Sequence, residues 1–137
     1  MDISTAIQNL NWLAVIAAAF STFLLGGLWY SPLLFEKRWL NANNFNQEDL
    51  KKRKMPMVFG LSFLLSFIMS LNLALFIGQE DVVFGTIVGF MTGFGWVALA
   101  IGIISLFESR SLKYVLINGG YMIVSFTIMG AILGAWN

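Results

Sequence analysis

The sequence contains no cysteine and no histidine. These absences exclude disulfides, thiol redox chemistry, Cys or His metal sites and His acid–base work. A disulfide-forming or quinone-thiol membrane enzyme is excluded with them, as is any catalytic triad built on His. Charge is also scarce. Asp, Glu, Lys and Arg make up 11% of the 137 residues, against roughly 25% in a soluble domain. Net charge is +1, so bulk charge points to no nucleic-acid partner. The opening segment MDISTAIQNLN holds Asp2 and neither Lys nor Arg. The positive region of a cleavable signal is therefore missing, and the first apolar run is expected to be a retained span.

What is present is apolar. Hydrophobic residues make up 58% of the chain, more than a small soluble domain could hide. The excess surface is expected to face lipid. Four runs are long enough to cross a bilayer, which takes about 20 apolar residues per helix: Trp12–Tyr30, Met57–Ile77, Val82–Phe107 and Tyr114–Trp136. None contains Asp, Glu, Lys or Arg. Backbone groups in hydrocarbon must pair within their own segment, so helices rather than strands are expected. The expected fold is an all-α integral membrane protein. Residues 1–137 form a single membrane domain of four transmembrane helices in a compact bundle, with a short interfacial helix after the first span.

The charges set an orientation. All eight basic residues fall in two connections: Lys37, Arg38, Lys51, Lys52, Arg53 and Lys54 after the first run, and Arg110 and Lys113 after the third. The positive-inside rule places these in the cytoplasm and both termini outside. Trp12, Trp29, Tyr30, Trp39, Tyr114 and Trp136 lie at or near the ends of the runs, where amphipathic rings sit at headgroup level. Trp96 lies mid-run, and its indole N–H there is expected to need a buried partner. Within the cytoplasmic loop, residues 31–56, Ser31-Pro32 reads as an N-cap followed by Pro at the first helical position. Asn46 reads as the cap of a second short helix, with Glu48 and Asp49 in its first turn and Lys51–Lys54 at its end.

Small residues recur at steps of four. Ser62, Ser66, Ser70, Ala74 and Gly78 line the second run, Gly85, Gly89 and Gly93 the third, and Gly130 and Gly134 belong to the fourth. Such faces allow close helix approach in lipid. The short connection Gly78–Asp81 makes runs two and three a hairpin whose small faces are expected to meet. Five of seven residues match between Leu34–Leu40 and Leu106–Leu112. A parallel repeat on that basis would pair Glu36 with Arg110 and Glu108 with Arg38. The candidate cavity gathers Tyr30, Trp96, Asn118 and Tyr121.

The segments NWLAV at Asn11–Val15, GGLWYSPLLF at Gly26–Phe35, LFESRSLKYVLINGGY at Leu106–Tyr121 and IMGAILGAW at Ile128–Trp136 resemble the bacterial membrane family called domain of unknown function 1761 (DUF1761). The resemblance implies a small four-span inner-membrane protein, with no assigned activity and no cofactor. It singles out Trp29, Tyr30, Ser31, Pro32, Asn118 and Tyr121, which stand in the matching motifs. Two functions follow. One is a non-enzymatic assembly protein, forming a homo-oligomer or joining a membrane partner through small-residue faces. The other is a transporter, channel or binder of a small molecule or lipid, with an inward-facing cavity. Neither requires a metal or a catalytic residue.

Overall fold

The structure, a computed structural model, describes residues 2–137. The described residues are helical, with no strand among them. A short helix α1 (Ile3–Gln8) precedes α2 (Trp12–Trp29), where Asn11 Oδ1 accepts the backbone N–H groups of Leu13 and Ala14. Two short helices follow, α3 (Glu36–Asn43) and α4 (Gln47–Lys51), then the long α5 (Met55–Ile77). The third span runs as α6 (Val82–Thr92), a widened π-helical turn (Gly93–Ala98) and α7 (Leu99–Phe107). The last helix is α8 (Leu112–Ala135). Four stretches, Trp12–Trp29, Met55–Ile77, Val82–Phe107 and Leu112–Ala135, are long and apolar enough to cross a bilayer. They mark a multi-pass membrane protein.

Local chemistry explains most boundaries. Asn46 and Asp49 form a reciprocal capping box at α4: Asn46 Oδ1 accepts Asp49 N–H at 2.9 Å and Asp49 Oδ2 accepts Asn46 N–H at 2.9 Å. Asp81 Oδ1 accepts Phe84 N–H at the start of α6, and Ser111 Oγ accepts Tyr114 N–H at the start of α8. Gly78, at φ 62°, turns the chain between α5 and α6. Ser31 departs from its expected role. Its Oγ accepts Leu33 N–H, yet it also donates to Leu28 O, and Pro32–Phe35 form turns rather than helix. Helix α3 starts only at Glu36, because Trp29 O and Ser31 O capture the N–H groups of Leu34, Phe35 and Glu36 in a tight turn.

The two similar heptads take different shapes. Leu34–Leu40 covers that turn and the first residues of α3, whereas Leu106–Leu112 ends α7, turns through Ser109 at φ 57° and opens α8. The decisive exchange is Trp39 against Ser111, since Ser111 caps a new helix where Trp39 continues one.

Packing differs from the expected hairpin. The small face of α6 meets α8, not α5. A Cβ at Gly85 would overlap the Gly130 carbonyl oxygen, one at Gly89 the Phe126 carbonyl oxygen, and one at Gly134 the Asp81 carbonyl oxygen. A Cβ at Gly93 would come within 2.8 Å of Ile123 Cα. Two glycine faces together let the backbones touch, a closer fit than serines opposite glycines allow. Helix α5 packs on α2 instead, where fully buried Ser70 donates its hydroxyl to Val15 O at 2.8 Å. The buried apolar cluster of Ala14, Val15, Ala18, Leu73, Ala74, Ile77, Phe126, Met129 and Leu133 lies wholly toward the end that carries the termini.

Candidate functional site

Toward the other end, which carries the basic residues, α5 parts from α8 and meets α2 through aromatic rings, Phe23 lying 5.6 Å from Phe59. The gap is a cleft of about 450 Å³. Its walls are Phe23, Gly26, Gly27 and Tyr30 of α2 and its C-cap, Val58, Phe59, Ser62 and Ser66 of α5, and Asn118 and Tyr121 of α8. Glu36, Trp39, Leu50 and Arg53, from α3 and α4 and the turn after them, stand across its mouth.

The α2–α8 wall is built by three side chains that reach across. Trp29 donates its indole N–H to Ile117 O at 2.9 Å. Tyr30 donates its hydroxyl to Asn118 Oδ1 at 2.6 Å. Tyr121 donates its hydroxyl to Thr22 O at 2.8 Å. Their rings then stack edge to face: Tyr30 lies 5.4 Å from Tyr121 and 5.3 Å from Trp39, centroid to centroid. Gly26 and Gly120 make room for this arrangement. A Cβ at Gly26 would fall 2.8 Å from the Tyr121 hydroxyl, and one at Gly120 would fall 3.2 Å from Trp29 Cζ2.

The Tyr30 bond occupies Asn118 Oδ1 and leaves the two N–H groups of the same amide without a partner among the described residues. Tyr121 keeps its oxygen lone pairs, and Ser62 adds a hydroxyl on the facing helix. The cleft thus presents donors and acceptors along one wall and phenyl rings, Phe23 and Phe59, along another. At its mouth, Glu36 accepts Gln47 Nε2–H at 3.4 Å, and Arg53 uses only Nε, which donates to Leu50 O.

Several expected site residues are not brought together. Trp96 does not join Tyr30, Asn118 and Tyr121. It is 78% exposed on the π-helical turn and lines a separate groove with Asn72, Phe76 and Met91. The widened turn rotates position 96 outward, so its N–H gains no buried partner. Pro32 is exposed and lies off the cleft, while Ser31 shapes the turn behind it. The cross-axis ion pairs also fail to form. Arg110 sits 3.8 Å from Glu108 of its own turn and 5.0 Å over the Tyr114 ring, too occupied locally to reach Glu36. Arg38 is exposed, with no ion pair among the described residues. Ser62 and Ser66 line the cleft, Ser62 exposed and Ser66 buried at its inner end, in contrast to fully buried Ser70 in the helix seam.

Sequence reasoning missed Arg53 and Trp39 at the mouth. The clue was available: both stand on the basic side of an apolar run, in short segments able to fold back over it. It also missed Gly26 and Gly120, each opposite a large ring in the other helix.

No curated protein and no solved structure matches this chain. A family model does match, described as Protein of unknown function (DUF1761), over residues 13–134. That match spans all four apolar helices and every wall of the cleft, and the chain belongs to the DUF1761 family.

Proposed function

We propose that this protein is a non-enzymatic binder of a small amphipathic molecule, held in the cleft between α2, α5 and α8 at the cytoplasmic face of the bacterial inner membrane. The observation that carries the reading is the Asn118 amide, held through its oxygen by Tyr30 and facing the cleft with its N–H groups unpaired. The opening is of the size that takes small ligands, roughly 300–1,000 Å³. Phe23 and Phe59 suit an acyl or prenyl segment. The Asn118 N–H groups and the Arg53 guanidinium suit a headgroup rich in oxygen acceptors, such as an ester or a phosphate. A dry helix seam has no need of polar groups, whereas this lining carries the Asn118 amide, the Tyr121 phenol and the Ser62 hydroxyl.

The orientation is part of the proposal. Seven of the eight basic residues sit in the connections α2–α5 and α7–α8 and the eighth, Lys113, in the first turn of α8 at the same end, which supports a cytoplasmic cleft mouth and external termini. The short helices α3 and α4 would then lie at the interface, with Leu33 and Leu34 of the preceding turn exposed toward lipid. A non-enzymatic role is supported by the lack of His and Cys and of any Asp, Glu or Arg within the spans, whose single Lys, Lys113, stands in the first turn of α8.

Assembly through the glycine faces, the competing role, loses its footing. Gly85, Gly89, Gly93, Gly130 and Gly134 are occupied inside the chain, so they offer no seam to another protein.

Native mass spectrometry from nanodiscs made of the producing cell's own membrane tests the reading. The expected result is one amphiphile retained per chain, lost in Asn118→Leu and kept in Trp96→Phe. Release of the wild-type chain with no adduct, or equal retention by both variants, would overturn it.

A further inference from the structure

Further along α5, toward the end that carries the termini, a second groove opens between α5 and the third span. It has a volume of about 590 Å³ and is lined by Met69, Asn72, Phe76, Met91, Thr92 and Trp96, with Phe126 of α8 at its floor. The groove exists because α6 packs on α8 and barely touches α5. Two of its polar groups lack a partner. Asn72 is exposed, five residues before the end of α5, about 8 Å along the helix axis from Ile77. Trp96 is 78% exposed and lies about 21 Å along the third span from Val82, near the bilayer middle. Neither side chain forms a hydrogen bond among the described residues. Thr92 differs, since its hydroxyl donates to Val88 O at 2.8 Å.

We propose that this groove is the contact face of a homodimer, and that a second copy of the chain covers it. Acyl chains can fill the volume but leave the Asn72 amide unpaired, at the cost that any bare polar group carries in hydrocarbon. A second copy satisfies it by symmetry. Copies in one membrane share one orientation, so the twofold axis of a closed dimer runs along the bilayer normal and returns every residue at its own depth. Placed beside that axis, Asn72 meets its own counterpart. A carboxamide is both donor and acceptor, so the pair is self-complementary, as a pair of indoles is not. The face carries no charge, so setting it against itself brings no repulsion. Gly95, where an added Cβ would meet nothing within 4 Å, leaves open backbone at the depth of Trp96. The indole of one copy packs there on the other, and its N–H reaches backbone carbonyl oxygen. The glycines at 85, 89 and 93 point the other way, into α8, so they take no part.

This inference stands apart from the cleft: the two openings share no lining residue. The absence of cysteine makes the test clean, because one substitution introduces the chain's only thiol. Phe76→Cys, one turn beyond Asn72 in the same lining and 70% exposed, should form a disulfide-linked dimer in native membranes under mild oxidation. Leu24→Cys, 59% exposed on α2, should not. In nanodiscs the wild type should weigh two chains, Asn72→Leu should shift toward one, and Asn118→Leu should remain at two. A monomeric wild type, or cross-linking through position 24 but not 76, would overturn the proposal. Loss of amphiphile binding in Asn118→Leu with the dimer intact would separate this face from the cleft.

Discussion

The two ends of this molecule solve the same problem differently. At the terminal end, helices meet at backbone distance. Gly85, Gly89 and Gly134 admit carbonyl oxygens where side chains would stand, and the buried cluster around Val15, Ile77 and Met129 fills the remaining space. Amides then tie the loops together: Asn11 Nδ2 donates to Trp136 O, Gln79 Nε2 to Asn9 O and Asn137 Nδ2 to Gly78 O. The gap left there is about 10 Å³. At the basic end, large rings act as spacers. Trp29, Tyr30 and Tyr121 hold α2 to α8 by three directional hydrogen bonds, Trp39 packs on Tyr30, and α5 stands away from α8 while meeting α2 through the rings of Phe23 and Phe59. In lipid, where apolar burial gives little drive for helix association, the choice between a small and a large residue decides whether a seam shuts or a cleft opens.

That contrast yields graded predictions. The largest effect belongs to the glycine seam. Gly89→Leu forces α6 off α8 and should lower stability by about 3 kcal/mol. Gly60→Leu, on α5 where an added Cβ meets nothing within 4 Å, should stay within about 0.5 kcal/mol of wild type. Equilibrium unfolding in mixed detergent compares them, and equal losses would erase the distinction between the ends.

Next comes the aromatic wall. Asn118→Leu strands the half-buried Tyr30 hydroxyl and should cost about 1–2 kcal/mol. Adding Tyr30→Phe should recover part of that loss, because no unpaired hydroxyl then remains. The same unfolding assay measures it, and an unchanged double variant would mean the two groups are not coupled. Smaller still is Ser70→Ala, which removes one hydrogen bond to Val15 O and should cost about 0.6 kcal/mol, the usual worth of such a bond in a membrane. The smallest effect belongs to surface charge. Glu36→Arg should move stability by no more than about 0.5 kcal/mol, with no rescue by Arg110→Glu, since those two groups do not pair. A rescued double variant would restore the symmetric pairing that the structure replaces.

Element identity was readable because the spans are long, uncharged and flanked by charge, and the Asn46 cap was readable because its partner Asp49 stands three residues on. Helix partners were not. Periodicity shows that Gly85, Gly89 and Gly93 share a face, but a glycine stripe fits either a serine or a glycine stripe, and loop length alone favoured the wrong neighbour. Trp96 was misplaced for a related reason. A regular helix sets its direction by counting, and the π-helical turn at Gly93–Ala98 adds a residue that the count does not contain. Tyr30, Asn118 and Tyr121 were singled out as a group to examine, and the structure places them together on one wall. Their geometry depends on Gly26 and Gly120 lying opposite large rings, which no single-helix pattern reveals.

The most direct test compares two serines on one helix. Ser62→Cys and Ser70→Cys make the same chemical change two turns apart on α5, one at the cleft and one in the closed end. With a small, charged, water-soluble thiol reagent applied from the basic side, the thiol at position 62 should react readily while the thiol at position 70 stays protected. Protection at both positions would mean that the basic end is as tightly shut as the other, contradicting the account at its centre.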